Sequence, residues 1–191
     1  MQTASVRTND RLEDVVNGIF SPLGNLPYQQ VLPKVQSEVA LSLTKSAEEL
    51  TEEELKGIIS RYLRDKQIKC DLTDSAAELT NYIYHDMAGL SFISRENLFD
   101  QEGFEELDIN AWDDVEIVIR GKRQKTDYRF LSPEHASDIL LRMFRQTKTN
   151  FDVAVPGATA DIGNSIRVTA LRAPLVDEEV SVSTSIRKVD M

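Results

Sequence analysis

Two short runs near the C-terminal end constrain the fold most. They are 164–171, Asn-Ser-Ile-Arg-Val-Thr-Ala-Leu, and 180–188, Val-Ser-Val-Ser-Thr-Ser-Ile-Arg-Lys. Both alternate apolar and polar residues, the period of a half-buried strand. Ile166, Val168 and Ala170 share one face of the first run, which places Arg167 and Thr169 on the other. Val180, Val182 and Ile186 share a face of the second, which sets Arg187 opposite them among serines. A hairpin centred near Asp177 brings Arg167 directly across from Arg187. Like charges at that spacing repel, and an anion between them relieves the repulsion. Neighbouring acids are the other relief, and residues 177–179 offer three of them.

The rest of the chain supplies partners for such a sheet. Strand-like runs lie at Glu106 to Asn110, Val115 to Arg120 and Thr126 to Phe130, with Gly121-Lys122-Arg123 as the turn between the last two. Another falls at Ala158 to Ile162. Ser132, Pro133 and Glu134 mark a helix start, with an N-cap serine, an N1 proline and an acid at the positive end of the dipole. Ala136, Ile139, Leu140, Met143 and Phe144 form its apolar stripe. Upstream, the periodicity is helical. Leu12, Val15, Val16, Ile19 and Phe20 share one helix face, and Ser21-Pro22 ends that helix. A second helix is expected from Pro33 to Lys45, with Val35, Val39 and Leu43 inward. Thr51 and Glu54 have capping-box spacing ahead of Leu55, Ile58, Ile59, Tyr62 and Leu63. Ser75 and Glu78 repeat that spacing ahead of Leu79, Tyr82, Ile83, Met87 and Leu90, and Gly89 is placed to end the fourth helix. Helices first, then an antiparallel sheet with a helix across it, define an α+β class. We expect a helical bundle over residues 1–72 and an α+β domain over 73–191.

Composition narrows the chemistry. The 191 residues include 22 basic and 32 acidic ones, a formal charge of -10. That balance argues against nonspecific nucleic-acid binding, which depends on neutralising phosphates. No apolar run approaches the roughly 18 residues of a membrane span. A single cysteine, Cys70, excludes an internal disulfide and fits a reducing compartment. Two histidines, His85 and His135, lack zinc-site spacing and read as helix-surface residues. Trp112, between two strands, reads as a turn or packing residue. No metal site and no catalytic acid–base pair stands out.

The charge is segregated. Nine acids and no base lie between Glu96 and Glu116, whereas bases outnumber acids eight to three between Arg120 and Lys148. Two solvated faces of opposite sign explain this, and so does an interface between identical subunits. No P-loop is present: Gly121-Lys122 is followed by Arg123 and has Glu116 where the first glycine would stand. The chain therefore has no means of cradling a triphosphate unaided.

From about Ala77 onward the chain resembles the N-terminal domain of the type II/IV secretion ATPases, the family of VirB11 and the CpaF-like pilus motors. The resemblance rests on Met87 to Ile93, on Phe99 to Asn110, and on the hairpin from Val115 to Tyr128 with Gly121 in its turn. It continues through Pro156, Gly163, Arg167-Val168 and Pro174 to the closing Ser185-Ile186-Arg187-Lys188. The helical first third is similar to the small bundle that leads CpaF-like members. The departure at Leu107 to Asn110 removes the support for a nucleotide role of Asn110.

This resemblance implies a hexameric ring in the cytoplasm, peripheral to the inner membrane and docked on secretion or pilus platform proteins. It implies that ATP and Mg sit between this domain and a C-terminal RecA-like motor domain, which this sequence lacks. It implies that Arg167 and Arg187 reach the ATP phosphates, and that this chain alone does not hydrolyse ATP. The alternative is a non-enzymatic docking module whose helical bundle binds a membrane secretion-complex partner. A small-molecule sensor with a sheet-and-helix pocket is a third reading, from fold analogy alone.

Overall fold

A computed structural model describes residues 25–43, 50–177 and 182–189. The expected first helix, at residues 9–20, lies outside them. The chain forms two compact units, divided between Thr80 and Asn81.

In the first unit, helix α1 spans Tyr28–Leu43 and α2 spans Glu52–Asp65. Helix α1 begins five residues before Pro33, which lies inside it. A proline at the sixth helical position removes one N–H from the ladder. The start at Tyr28 is fixed by a distant group: the Asp71 carboxylate accepts the Tyr28 N–H at 3.0 Å. Asp71 is in place because Leu26 and Cys70 pair, with Leu26 N–H donating to Lys69 O at 2.8 Å and Asp71 N–H to Leu26 O at 3.0 Å. Val31, Val35, Val39, Ile59 and Leu63 are buried. The Thr51–Glu54 capping box at the start of α2 is complete in both directions. Helix α3, Ala76–Met87, runs across the boundary between the units.

The second unit is built on one six-stranded sheet: β1 (Phe104–Ala111), β2 (Asp114–Ile119), β3 (Lys122–Lys125), β4 (Gly157–Ile162), β5 (Ile166–Arg172) and β6 (Val182–Lys188). Every pairing is antiparallel, in the order β3-β2-β1-β6-β5-β4. Short helix α4 (Phe92–Arg95) precedes the sheet, and α5 (Pro133–Arg145) lies between β3 and β4. The fold is α+β.

The third strand departs from expectation. Arg120 and Gly121 have φ of 51° and 72°, so they are the two residues of the hairpin turn, and Ile119 pairs with Lys122. A two-residue turn with both φ positive matches the twist of the flanking strands. Lys122 and Arg123 therefore belong to β3 itself. Thr126 to Phe130 leaves the ladder and runs along the margin of the core, where Tyr128 stacks on Phe92 and Phe130 is buried while Asp127 and Arg129 stay exposed.

One sheet face carries Leu107, Ile109, Val115, Ile117, Val168, Ala170, Val182 and Ile186, all buried in a single core with Ala136, Ile139, Leu140, Met143 and Phe144 of α5. This is the stripe read from the sequence. Trp112 packs at the core's margin, and its carbonyl accepts the Phe130 N–H at 2.8 Å. The other face presents Glu106, Asp108, Glu116, Arg167, Thr169, Ser185 and Arg187, and it positions the candidate site.

Neither histidine is a plain surface residue. His135 keeps a side-chain exposure of 10% and accepts the Leu131 N–H at Nδ1, 3.2 Å away. His85 Nδ1 meets Ser94 Oγ at 2.9 Å. Their helix faces turn toward the sharp bend after α3, whose last carbonyls need partners. Arg142 donates to Asp86 O and Gly89 O, both at 2.8 Å.

Candidate functional site

The two arginines meet as the alternation requires. Ile166, Val168 and Ala170 are buried on β5, and Val182, Thr184 and Ile186 on β6, so both arginines emerge on the open face. Arg167 pairs with Arg187 across the β5–β6 ladder, which places their Cα atoms about 4.5–5.5 Å apart. The next pair on this face, Thr169 and Ser185, completes the lining of a hollow of about 300 Å³.

The repulsion is relieved by acids from the two flanking strands. Asp161 pairs with Arg167 across β4–β5, and its carboxylate accepts Nε at 2.8 Å and Nη2 at 3.2 Å. Glu106 pairs with Arg187 across β1–β6; its Oε1 accepts Arg187 Nε at 2.5 Å and Ser185 Oγ at 2.7 Å. One row of the sheet thus runs acid, arginine, arginine, acid. The Arg167 hydrogen bond holds the Asp161 carboxyl below the usual carboxylate range, and the same bond raises the guanidinium. At Glu106 burial pushes the carboxyl up. The Ser185 and Arg187 hydrogen bonds outweigh that and hold it below its ordinary value.

The guanidiniums keep donors in reserve. Arg187 uses only Nε and Arg167 only Nε and Nη2 toward these carboxylates. Their side chains are 64% and 51% exposed. The terminal nitrogens that no described residue engages, over a hydroxyl-lined hollow, form a donor set suited to phosphate or carboxylate oxygens.

Asp161 and Glu106 are the site residues that sequence reasoning missed. Asp161 carries a readable signal: the Gly163-Asn164-Ser165 turn mirrors residue 161 onto 167. Glu106 carries none, since it lies 81 residues from its partner. Of the acids at 177–179 that the sequence offered, 178 and 179 lie outside the described residues; the carboxylates described against the arginines are Asp161 and Glu106.

The segregated charges prove complementary within the sheet. Arg123 reaches Asp108, Glu116 at 3.3 Å and Glu106 at 3.4 Å; Arg120 meets Glu102 at 2.5 Å and Lys125 meets Asp114 at 3.2 Å. Three bases of the second segment, Arg120, Arg123 and Lys125, thus pair with acids of the first across neighbouring strands. Among the described residues no cluster of acids, histidines or cysteines could hold a metal ion. No helix there is long and apolar enough to cross a membrane.

No protein-family model matches the sequence, and no curated protein matches it. Among solved structures, the chain is similar to the VirB11 ATPase from the Brucella suis type IV secretion system, crystallised in complex with sulphate. The identity is 19% and the TM-score 0.44, over 50% of this chain and 29% of that one.

Proposed function

We propose that the sheet unit is the regulatory, nucleotide-closing part of a secretion or type IV pilus ATPase. In this reading Arg167 and Arg187 grip the phosphates of ATP and Mg bound mainly by a RecA-like motor domain. The assembly is a ring of identical subunits on the cytoplasmic side of the inner membrane, set against platform proteins of the secretion or pilus machine. The supporting observation is the direct opposition of the two arginines above a hollow lined otherwise by Thr169 and Ser185. The flanking carboxylates balance the two cations and still leave guanidinium nitrogens that they do not engage.

The chemistry follows from that placement. When the terminal phosphate departs, negative charge builds on oxygens that two preorganised guanidiniums can stabilise. Loss of the phosphate releases the pair and lets the two domains part. The test is ATP turnover in a chain running on into a RecA-like motor domain. Arg167→Ala and Arg187→Ala are each expected to lower turnover roughly tenfold or more while folding is kept. Unchanged turnover in both variants removes the reading.

A further inference from the structure

We propose that Glu106, seconded by Asp161, is a built-in competitor for the arginine pair and sets how tightly that pair holds phosphate. The inference rests on the reading of Arg167 and Arg187 as phosphate ligands and adds the regulation of that site.

Glu106 stands between two arginines. Its Oε1 takes Arg187 Nε and Ser185 Oγ, while its Oε2 lies 3.4 Å from Arg123 Nη2. Its side chain is 13% exposed, against 64% for Arg187. The acid is therefore fixed in the sheet and the arginine is the partner free to swing. If Arg187 leaves for an anion, Glu106 keeps the Ser185 hydroxyl and the Arg123 cation, so no buried charge is stranded. Arg123 is held at the spot by Asp108 and Glu116. The exchange is built into the row.

Asp161 holds Arg167 with two bonds, but both side chains are about half exposed, at 46% and 51%. Water screens that pair, which makes Asp161 the weaker competitor. Two guanidiniums beside two carboxylates sum to zero charge. A free polyphosphate meets a balanced site and binds weakly. A phosphate delivered by another domain displaces the acids because its translational freedom is already spent.

The test is calorimetric titration of the 191-residue chain with inorganic tripolyphosphate at low salt. Glu106→Gln keeps the shape and an acceptor oxygen for Ser185 and Arg187, removes the charge, and gives up the weaker 3.4 Å contact with Arg123, which the amide NH2 cannot accept. It is expected to tighten binding roughly 3- to 10-fold, an advantage that shrinks at physiological salt. Asp161→Asn should tighten it less, and adding Arg187→Ala to Glu106→Gln should cancel the gain. Equal or weaker binding by Glu106→Gln, with Arg187→Ala still harmful in the wild-type background, overturns the competitor role and leaves the arginine reading standing. Binding indifferent to Arg167→Ala and Arg187→Ala in both backgrounds overturns both. Should Glu106→Gln fail to fold, Asp161→Asn decides the matter by the same sign.

Discussion

At the residue scale, the sheet tolerates polar groups very differently on its two faces. Arg167 and Arg187 lie opposed on the open face, each steadied by a carboxylate one strand outward. Thr184, three residues before Arg187 on β6, points the other way, and its Oγ is buried with no partner among the described residues. A buried hydroxyl without a hydrogen bond costs more than the isosteric methyl that replaces it. Thr184→Val is therefore expected to stabilise the fold by about 1 kcal/mol, read as a higher urea midpoint at an unchanged m-value. Gly89 makes the opposite case. It takes no left-handed φ; its reason is space, since an added Cβ would lie 2.7 Å from Ser94 Oγ and 3.1 Å from the His85 Cα. The crowding is at the bend where Ser94 accepts the Leu90 N–H and Arg142 caps Gly89 O. Gly89→Ala should destabilise by roughly 1–3 kcal/mol, and a melting temperature equal to wild type would refute the packing argument.

At the scale of elements, what was legible is what is local. Ser132 accepts the His135 N–H at 3.2 Å with Pro133 at N1, and all five residues of the α5 stripe are buried, as their spacing required. The Thr51 box closes with Glu54 Oε2 taking the Thr51 N–H at 2.9 Å. Thr51→Ala should cost about 1 kcal/mol, and chemical denaturation will show whether α2 depends on it. At Ser75 the same spacing resolves differently: Glu78 N–H finds Ser75 Oγ, but the Glu78 carboxylate takes the Thr73 hydroxyl at 2.6 Å. The β5–β6 register was readable because alternation fixes the face and the midpoint fixes the pairing. Elements set by distant residues were not. The start of α1 depends on Asp71, and Glu106 reaches the site from a strand paired only by the tertiary fold. The β2–β3 turn falls at 120–121 instead of 121–123 because Gly121 is the second turn residue and Arg120 supplies the other positive φ. For the candidate site, the two arginines and their opposition could be read from the sequence, and the acids that balance them could not.

At the scale of the whole molecule, acid stability should fall in two separate stages. His135 lies against Asp86, with Nε2 4.0 Å from Asp86 Oδ1, and Phe130 packs edge-on against its ring. Burial lowers its tendency to take a proton, and the Arg142 charge acts the same way. Attraction to Asp86 and Asp138 does not make up the difference, so its folded pKa lies below the ordinary 6.5. The unfolded chain then binds a proton that the folded chain refuses. The stability contributed by neutral His135 is present above pH 6.5 and is lost as pH falls through the folded value. While only the unfolded state is protonated, the loss approaches about 1.4 kcal/mol per pH unit. The carboxylates behave in the same sense at lower pH. Glu106 and Asp161, with folded pKa values below their ordinary ones, keep their contribution above about pH 4.5 and lose it as they protonate. Urea denaturation at intervals from pH 8 to pH 3.5 should therefore show one decline beginning near pH 6.5 and a second below about 4.5. His135→Gln removes the first decline and leaves the second, whatever its effect at neutral pH. A wild-type curve flat from pH 7 to pH 5 would mean that His135 takes its proton as readily in the folded protein as in the unfolded chain. The Asp86 contact would then outweigh the burial.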